Sequence, residues 1–375
     1  MSEVRAKVLV IGGGIGGIAA SIALARKGAE VEIVEIGPEW KVYGAGLTIT
    51  GPTLRAFRDL GLLDAIGERG YFATGSHLYL FDGTLLTETA TPPVEDGLPS
   101  SGGIMRPKLH EIMTAEVRRL GVGVRVGLTA NRFDQDAEGV DVTFTDGSHG
   151  RYDLVVGADG IYSSIREKLF GNAVKPTYCG QMSWRVVAPK PPEMTVASFF
   201  FGHRNIAGII PCSRTEVYAF ILEPQATPTW TDDDRKPETV RNLIADFGGP
   251  MAAIRDGLGP HSSIVARPFE YAFQPRPWHA GRVVLVGDAA HATTPHLASG
   301  AGIAVEDGLV LADELEKAGW DVPAALEAFT NRRYERCKFV VDASTGIAQR
   351  QLEGAPPQEI GMRMGQGMQR LAEPI

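Results

Sequence analysis

Three separated stretches carry the residue types that hold a phosphate and a sugar. The first is Val8-Leu9-Val10-Ile11-Gly12-Gly13-Gly14-Ile15-Gly16-Gly17. Gly12, Gly14 and Gly17 have G-x-G-x-x-G spacing, between an apolar run and a helical pattern from Ile15 to Arg26. This order predicts a strand, a tight turn and a helix start whose free N–H groups and dipole favour a pyrophosphate. A second strand, Glu30 to Ile36, places Glu35 at the distance expected of a ribose-hydroxyl acceptor. A glycine turn without a ligand is the plainer reading, and the strand, the helix and Glu35 weigh against it. An acid there suits adenosine with a free 2′-hydroxyl, so this stretch alone fits NAD as well as FAD.

The second stretch is Asp153-Leu154-Val155-Val156-Gly157-Ala158-Asp159-Gly160, and the third is Arg282-Val283-Val284-Leu285-Val286-Gly287-Asp288-Ala289-Ala290-His291. Asp159 and Asp288 each follow a buried-looking strand at its C-terminal end, the edge where open α/β sheets bind ligands. A carboxylate there accepts hydrogen bonds from a sugar or ribityl chain, or else it caps the next helix. After Asp288 the chain runs through Pro295 and His296 to Ser299-Gly300-Ala301-Gly302, which opens a helix. Small residues admit a flat ring system, and that helix start lends positive potential to a reduced, anionic flavin. The three stretches together point to FAD.

The elements that position these residues follow from periodicity. Helices are expected at Pro52–Leu60, 106–120, 238–247, 302–318 and 322–350. His77–Phe81 and Leu85–Glu88 form a hairpin about Asp82-Gly83, and 90–103 is a loop. Strands at 122–126, 130–135 and 140–145 make a small antiparallel excursion. From Thr177 to Leu222 the alternating, aromatic-rich pattern predicts an antiparallel sheet, to which 262–269 returns. The tail after Gly354 is expected to be disordered or packed on the surface. The fold class is therefore α/β: a Rossmann-like cofactor domain from 1–74, 101–173 and 277–320. A substrate-binding β-sheet domain from 75–100 and 174–276 is inserted in it, and a C-terminal helical region covers 321–375.

Composition narrows the class. The 375 residues allow two or three modules, and 44% hydrophobic with 22% charged residues is ordinary for a globular protein. A net charge of −8 without a basic cluster argues against nucleic acid. No apolar window reaches the length of a membrane span. The start Met1-Ser2-Glu3-Val4-Arg5 leads directly into the first strand, which leaves no room for a signal peptide. Three widely spaced cysteines, Cys179, Cys212 and Cys337, suggest a reducing, cytoplasmic setting with no disulfide framework and no metal site.

These motifs resemble those of the class A, single-component flavoprotein monooxygenases of the para-hydroxybenzoate hydroxylase type. The resemblance spans about residues 6 to 345. It rests on Gly12 to Gly17, Arg106 in Met105-Arg106-Pro107-Lys108-Leu109, Ala158-Asp159-Gly160 and Gly287-Asp288-Ala289-Ala290-His291. It implies FAD held with Gly12, Gly14, Ile15, Gly17, Glu35, Arg106, Asp159, Asp288, Pro295, Gly300, Ala301 and Gly302. Asp159 would serve NAD(P)H as well. The family's usual Pro-x-x-Gly-Gln-Gly becomes Pro295-His296-Leu297-Ala298-Ser299-Gly300 here. The resemblance further implies NADH or NADPH as co-substrate, O₂, and hydroxylation of a small activated aromatic or N-heteroaromatic ring through a C4a-hydroperoxyflavin, in a monomer or homodimer. A related oxidase, reductase or epoxidase is the alternative, and a non-catalytic flavin-binding regulator a further one.

Candidate pocket residues come from the sheet module and the late loop: Trp184, Arg185, Phe201, His203, Tyr218 and His296. Arg185 has the fork geometry to pair a carboxylate or carbonyl. Trp184 and Tyr218 are also natural core residues, His203 a natural turn residue, and His291 a structural hydrogen-bonding partner.

Overall fold

The computed structural model describes residues 4–42 and 44–375. Its centre is a six-stranded sheet in the order His279–Ala280, Val283–Leu285, Leu154–Gly157, Lys7–Ile11, Glu30–Glu35, Gly123–Val126. All neighbours are parallel except the short pair at His279–Ala280. The three motif stretches thus end on adjacent strands, because each apolar run is buried on both faces. The first helix, Ile15–Arg26, packs against the helix Gly300–Lys317.

A seven-stranded sheet stands apart, in the order Ile264–Phe273, Thr177–Pro189, Glu216–Pro224, Ile206–Pro211, Ala197–Phe201, Gly75–Leu80, Leu85–Ala90. One face packs on the helices Lys236–Leu243 and Gly249–Asp256 through Trp184, Val186, Phe200, Ile209, Ile221, Val240 and Met251. The other face carries Val187, Ile210, Tyr218 and Phe220, which meet Ala45 and Met105 of the cofactor half. One pair in this sheet, Ala197–Phe201 with Gly75–Leu80, is parallel rather than antiparallel, since the hairpin comes from a distant part of the chain.

Several expectations are corrected. Gly123–Val126 is the edge of the parallel sheet and not part of the antiparallel excursion. It follows the helix Arg106–Arg119, which returns the chain to the sheet. The excursion consists of Ala130–Gln135, Val140–Phe144 and His149–Tyr152. The expected loop 90–103 ends in the strand Ser101–Met105, paired with Gly46–Thr50 and Tyr71–Ala73. Its glycines look loop-like, but side chains at Gly102 and Gly103 would strike the carbonyls of Tyr71 and Pro211. The tail forms the helix Pro357–Ala372, with Ile360 and Leu371 buried. Its final carbonyls are caught by buried Arg55, which donates to Leu371, Ala372 and Glu373, and by Arg336.

Candidate active site

The motif glycines sort by what surrounds them. Gly12 has φ +111, and a Cβ there would lie 2.3 Å from the Ala158 carbonyl oxygen. The first and second stretches therefore touch backbone to backbone. A Cβ on Gly16 would lie 3.8 Å from the Cα of Gly287, so the third stretch joins them. At Gly14 a Cβ would meet nothing within 4 Å. That open spot lies at the start of the first helix, where Ile15 and its neighbours present unpaired N–H groups. An open turn lined by free N–H groups is the kind of place where a pyrophosphate binds. Gly17 lies inside the helix, against the Gly12 carbonyl.

Both oxygens of Glu35 fasten the turn, accepting from the N–H of Gly13 and of Gly37 at 2.8 Å each. Each carboxylate oxygen keeps a second lone pair for a ribose hydroxyl. Asp159 is different. Its carboxylate accepts from Ser163 Oγ and from the N–H groups of Ser164 and Ile165, at the start of the helix Ser164–Phe170. This is the helix-capping role, with Ser164 Oγ as a fourth donor at 3.2 Å. Arg166 of that helix, buried, donates to the carbonyls of Ala289 and Ile161 and ties the second stretch to the third.

Among the described residues, three charged groups without partners lie near one another. The Arg106 Nε is buried and lacks a hydrogen-bond acceptor among the described residues. Neither does Arg185 find a carboxylate or carbonyl among them, and its guanidinium sits close enough to feel Arg106 and Tyr218. Burial first, and then the like charge of Arg106, push the Arg185 pKa down. Asp288 opens to solvent although protein encloses it on most sides, as expected of a crevice wall. That enclosure raises its carboxyl pKa, against the opposing pull of His291 and Arg106. Tyr218 closes the crevice on the sheet side. Its hydroxyl lies 2.6 Å from Thr48 Oγ1, and burial raises its pKa.

Behind Asp288 lies a buried charge network that sequence reading missed. Asp307 Oδ2 accepts from the Gly287 N–H at 2.8 Å and meets His291 Nε2 at 2.6 Å. It therefore grips both ends of the short helix Asp288–His291. Arg333 donates to Asp307 Oδ1 and to Glu306 Oε2 at 2.8 Å each, and Arg336 donates to both Glu306 oxygens. Burial opposes charge on Asp307, but His291 and Arg333 hold its carboxyl below the usual range. His291 thus has the structural role expected of it. His291, Asp307 and Cys337 converge within 4.8 Å, yet the Arg333 guanidinium already stands among them as the cation. The signal was available: Glu306-Asp307 interrupts a run of small and apolar helix residues, and buried acids require cations.

The late loop is a short 3₁₀ turn, Pro295–Leu297, followed by Ala298 in a left-handed conformation (φ 47, ψ 32). Ala298 occupies the place where the usual motif has glycine. Ser299 Oγ donates to the Leu297 carbonyl, so the first N–H groups at Gly300, Ala301 and Gly302 keep no side-chain cap.

The remaining pocket candidates separate cleanly. Trp184 lies in the helix-covered core and donates to Glu223 at 2.7 Å, on the face opposite Arg185. His203 is exposed and rests on Phe81 at 4.3 Å, at a turn beside Phe247. It is a turn histidine, not a pocket residue. Phe201 shares the crevice-side face with Phe199, one row further from Arg185 by register. His296 is 7% exposed and bonds Gln181 Oε1 at 2.8 Å with its ring against Phe269, so it packs behind the crevice.

Burial lowers the His296 pKa to about 4. The unfolded chain takes up this proton below about 6.5, and the folded chain only near 4. The stability it contributes is complete above the higher value and is lost as pH falls through the lower one. Denaturation midpoints at pH 7, 5.5 and 4.5 should therefore fall less steeply for His296→Gln than for the parent. Parallel profiles would contradict the assignment.

Comparison with known proteins agrees with this geometry. A family model described as "FAD binding domain" matches residues 5–344. The chain belongs to that family. The Aurachin C monooxygenase/isomerase of Stigmatella aurantiaca is 32% identical over 355 residues, covering 91% of this chain and 88% of the relative. The 6-hydroxynicotinate 3-monooxygenase of Bordetella bronchiseptica is 29% identical over 354 residues, with 90% of each covered. The crystal structure of Klebsiella pneumoniae R204Q HpxO complexed with FAD superposes with a TM-score of 0.87 at 26% identity, covering 98% of both chains. This protein is thus an FAD-dependent enzyme of the para-hydroxybenzoate hydroxylase type, with the α/β fold expected for it. No helix among the described residues is long and apolar enough to cross a membrane.

Proposed function

We propose that the enzyme uses NADH or NADPH, FAD and O₂ to hydroxylate a small activated aromatic or N-heteroaromatic compound. The observation that carries this is the crevice itself. Arg106, Arg185 and Asp288, which lack partners among the described residues, lie together between the open Gly14 cradle and the aromatic face of the seven-stranded sheet. The residues fit FAD. The turn at Gly12, Gly14, Ile15 and Gly17 takes the pyrophosphate, and Glu35 shares its free lone pairs with the adenosine ribose. Arg106 supplies a cation whose buried Nε lacks an acceptor among the described residues, and Asp288 offers its carboxylate to the ribityl hydroxyls. The backbone from Pro295 to Gly300, Ala301 and Gly302 gives the flat ring an edge of unpaired N–H groups. Bound FAD supplies electron transfer from NAD(P)H and activation of O₂.

The protein's share is placement and dryness. Tyr218 stays a neutral phenol, since burial raises its pKa. Paired with Thr48, it positions a ring hydroxyl by hydrogen bonding rather than by removing its proton. Phe199 and Phe220 exclude water from the ring-bearing side. Asp159 serves through the helix it caps, which Arg166 links to Ala289 beside Asp288. The three free cysteines favour a cytoplasmic setting.

The test is to supply NADH or NADPH with hydroxybenzoates, hydroxynicotinate and urate, and to analyse products by mass. One oxygen atom derived from O₂, in a product formed at the cost of NAD(P)H, supports the reading. Turnover that continues anaerobically, or peroxide as the sole product with every ring compound, opposes it.

A further inference from the structure

We infer that the C-terminal helix Pro357–Ala372 is a positioning element of the flavin site: Gly367 seats it on Leu297 and so holds the turn that leads to the N–H groups at Gly300. This rests on the reading of that turn as the flavin edge, given under Proposed function, and names what supports it from outside.

The contact is close. A Cβ at Gly367 would lie 2.5 Å from Leu297 Cδ1, 3.2 Å from Cδ2 and 3.4 Å from Cγ. Leu297 is 0% exposed, so its branched end cannot swing aside without disturbing its neighbours. Gly367 lies on the buried face of the helix with Ile360 and Leu371. Gly361 and Gly365 of the same helix are exposed, and a Cβ at either would meet nothing within 4 Å among the described residues. Glycine weakens a helix wherever it stands, but of these it is Gly367 that brings the helix against another element.

The turn needs support from outside. Leu297 ends the short 3₁₀ turn, and Ala298 follows at φ 47, a left-handed conformation that a residue with a Cβ adopts at a cost. Such a conformation persists where the surroundings determine it. The Ala298 N–H donates to the Pro295 carbonyl at 2.9 Å, and Ser299 Oγ donates to the Leu297 carbonyl at 2.7 Å. A displaced Leu297 therefore carries Ala298 and Ser299 with it, and Ser299 directly precedes the helix Gly300–Lys317.

The start of that helix has a matching support. A Cβ at Gly302 would lie 2.3 Å from Thr53 Oγ1. Thr53 belongs to the helix Gly51–Asp59, and so does Arg55, which donates to the carbonyls of Leu371, Ala372 and Glu373. Arg336 donates to the carbonyls of Leu371 and Glu373 and also to both oxygens of Glu306. Cations at a helix C-terminus complement its dipole. Two arginines thus tie the C-terminal helix to the element that touches Gly302 and to the charge network behind Asp288.

The test uses the FAD-loaded protein without substrate or NAD(P)H. Flavin absorbance, flavin reduction potential and FAD affinity are measured for Gly367→Ala, Gly365→Ala, Leu297→Ala and the double variant Gly367→Ala/Leu297→Ala. Gly367→Ala should shift the spectrum and the potential and weaken FAD binding about fivefold. Gly365→Ala, which gains the same helix propensity, should match the parent in all three. The double variant should stand nearer the parent than either single one, because the shortened side chain makes room for the new methyl. Should Gly367→Ala fail to fold, Arg55→Lys, which keeps a cation but gives up the multiple bonds to the helix end, must still shift the spectrum. The inference is overturned if Gly367→Ala matches Gly365→Ala in spectrum, potential and FAD affinity. Lost stability with unchanged flavin properties, a double variant no nearer the parent, or, in the fallback, a parent-like Arg55→Lys spectrum would overturn it equally. Because no ring compound is present, a failure to hydroxylate bears only on the function proposed above.

Discussion

Asp307→Ala is expected to unfold the cofactor half at markedly lower denaturant and to release FAD. Asp307 is fully buried and holds three donors: the Gly287 N–H, His291 and Arg333. Removing it leaves His291 without its buried carboxylate and Arg333 with Glu306 alone, and breaking a buried pair costs about 3–5 kcal/mol in comparable cases. The loss extends to the site because Gly287 has φ 58, a conformation its N–H bond to Asp307 helps to hold just before Asp288. FAD affinity should fall on the order of tenfold, the worth of one well-aimed charged hydrogen bond. Asp307→Asn keeps an oxygen for Gly287 and should recover part of that affinity. His291→Phe leaves the Asp307–Arg333 pair intact and should fold, while loosening one end of the grip. Unfolding midpoints and FAD titrations of the three variants check this. Parent-like behaviour of Asp307→Ala would show that the network does not shape the site.

The second large effect separates two glycines of one motif. Gly12→Ala sets a Cβ against the fixed backbone of Ala158 at 2.3 Å, at a φ of +111. Strain and overlap each cost about 1–3 kcal/mol, so FAD affinity should drop by about 100-fold or more, with lower stability of the FAD-free protein. Gly14→Ala has no such clash, because nothing lies within 4 Å. Its FAD-free stability should stay within about 1 kcal/mol of the parent, while its FAD affinity falls as the methyl enters the cradle. Equal losses of stability in both variants would mean that Gly14 serves the fold and not a ligand.

Much of this arrangement could be read from residue order, for identifiable reasons. Val8–Ile11, Leu154–Gly157 and Val283–Leu285 are uninterrupted apolar runs, and only a doubly covered parallel sheet accommodates three of them. The first helix begins and ends at Ile15 and Arg26 as its pattern requires. Ser101-Gly102-Gly103 misled because glycine marks close backbone approach as well as loops. The last helix was hidden because its anchors, Arg55 and Arg336, lie far away in sequence. Within the site, Arg106, Arg185, Tyr218 and Asp288 do converge on one crevice, since strand ends and one sheet face deliver them there. His203 and Trp184 do not, because a turn and the opposite strand face carry them away. Thr48, Phe199, Phe220 and Arg333 acquire meaning only through long-range register and helix packing, which no local pattern encodes.

The decisive measurement is a titration of the FAD-free protein with FAD, followed by flavin absorbance and fluorescence. One FAD per chain should bind tightly, with a perturbed flavin spectrum, and binding should weaken in Gly14→Ala and Asp288→Ala proteins that remain folded. A well-folded parent that stays colourless and takes up no FAD would contradict the assignment of this crevice.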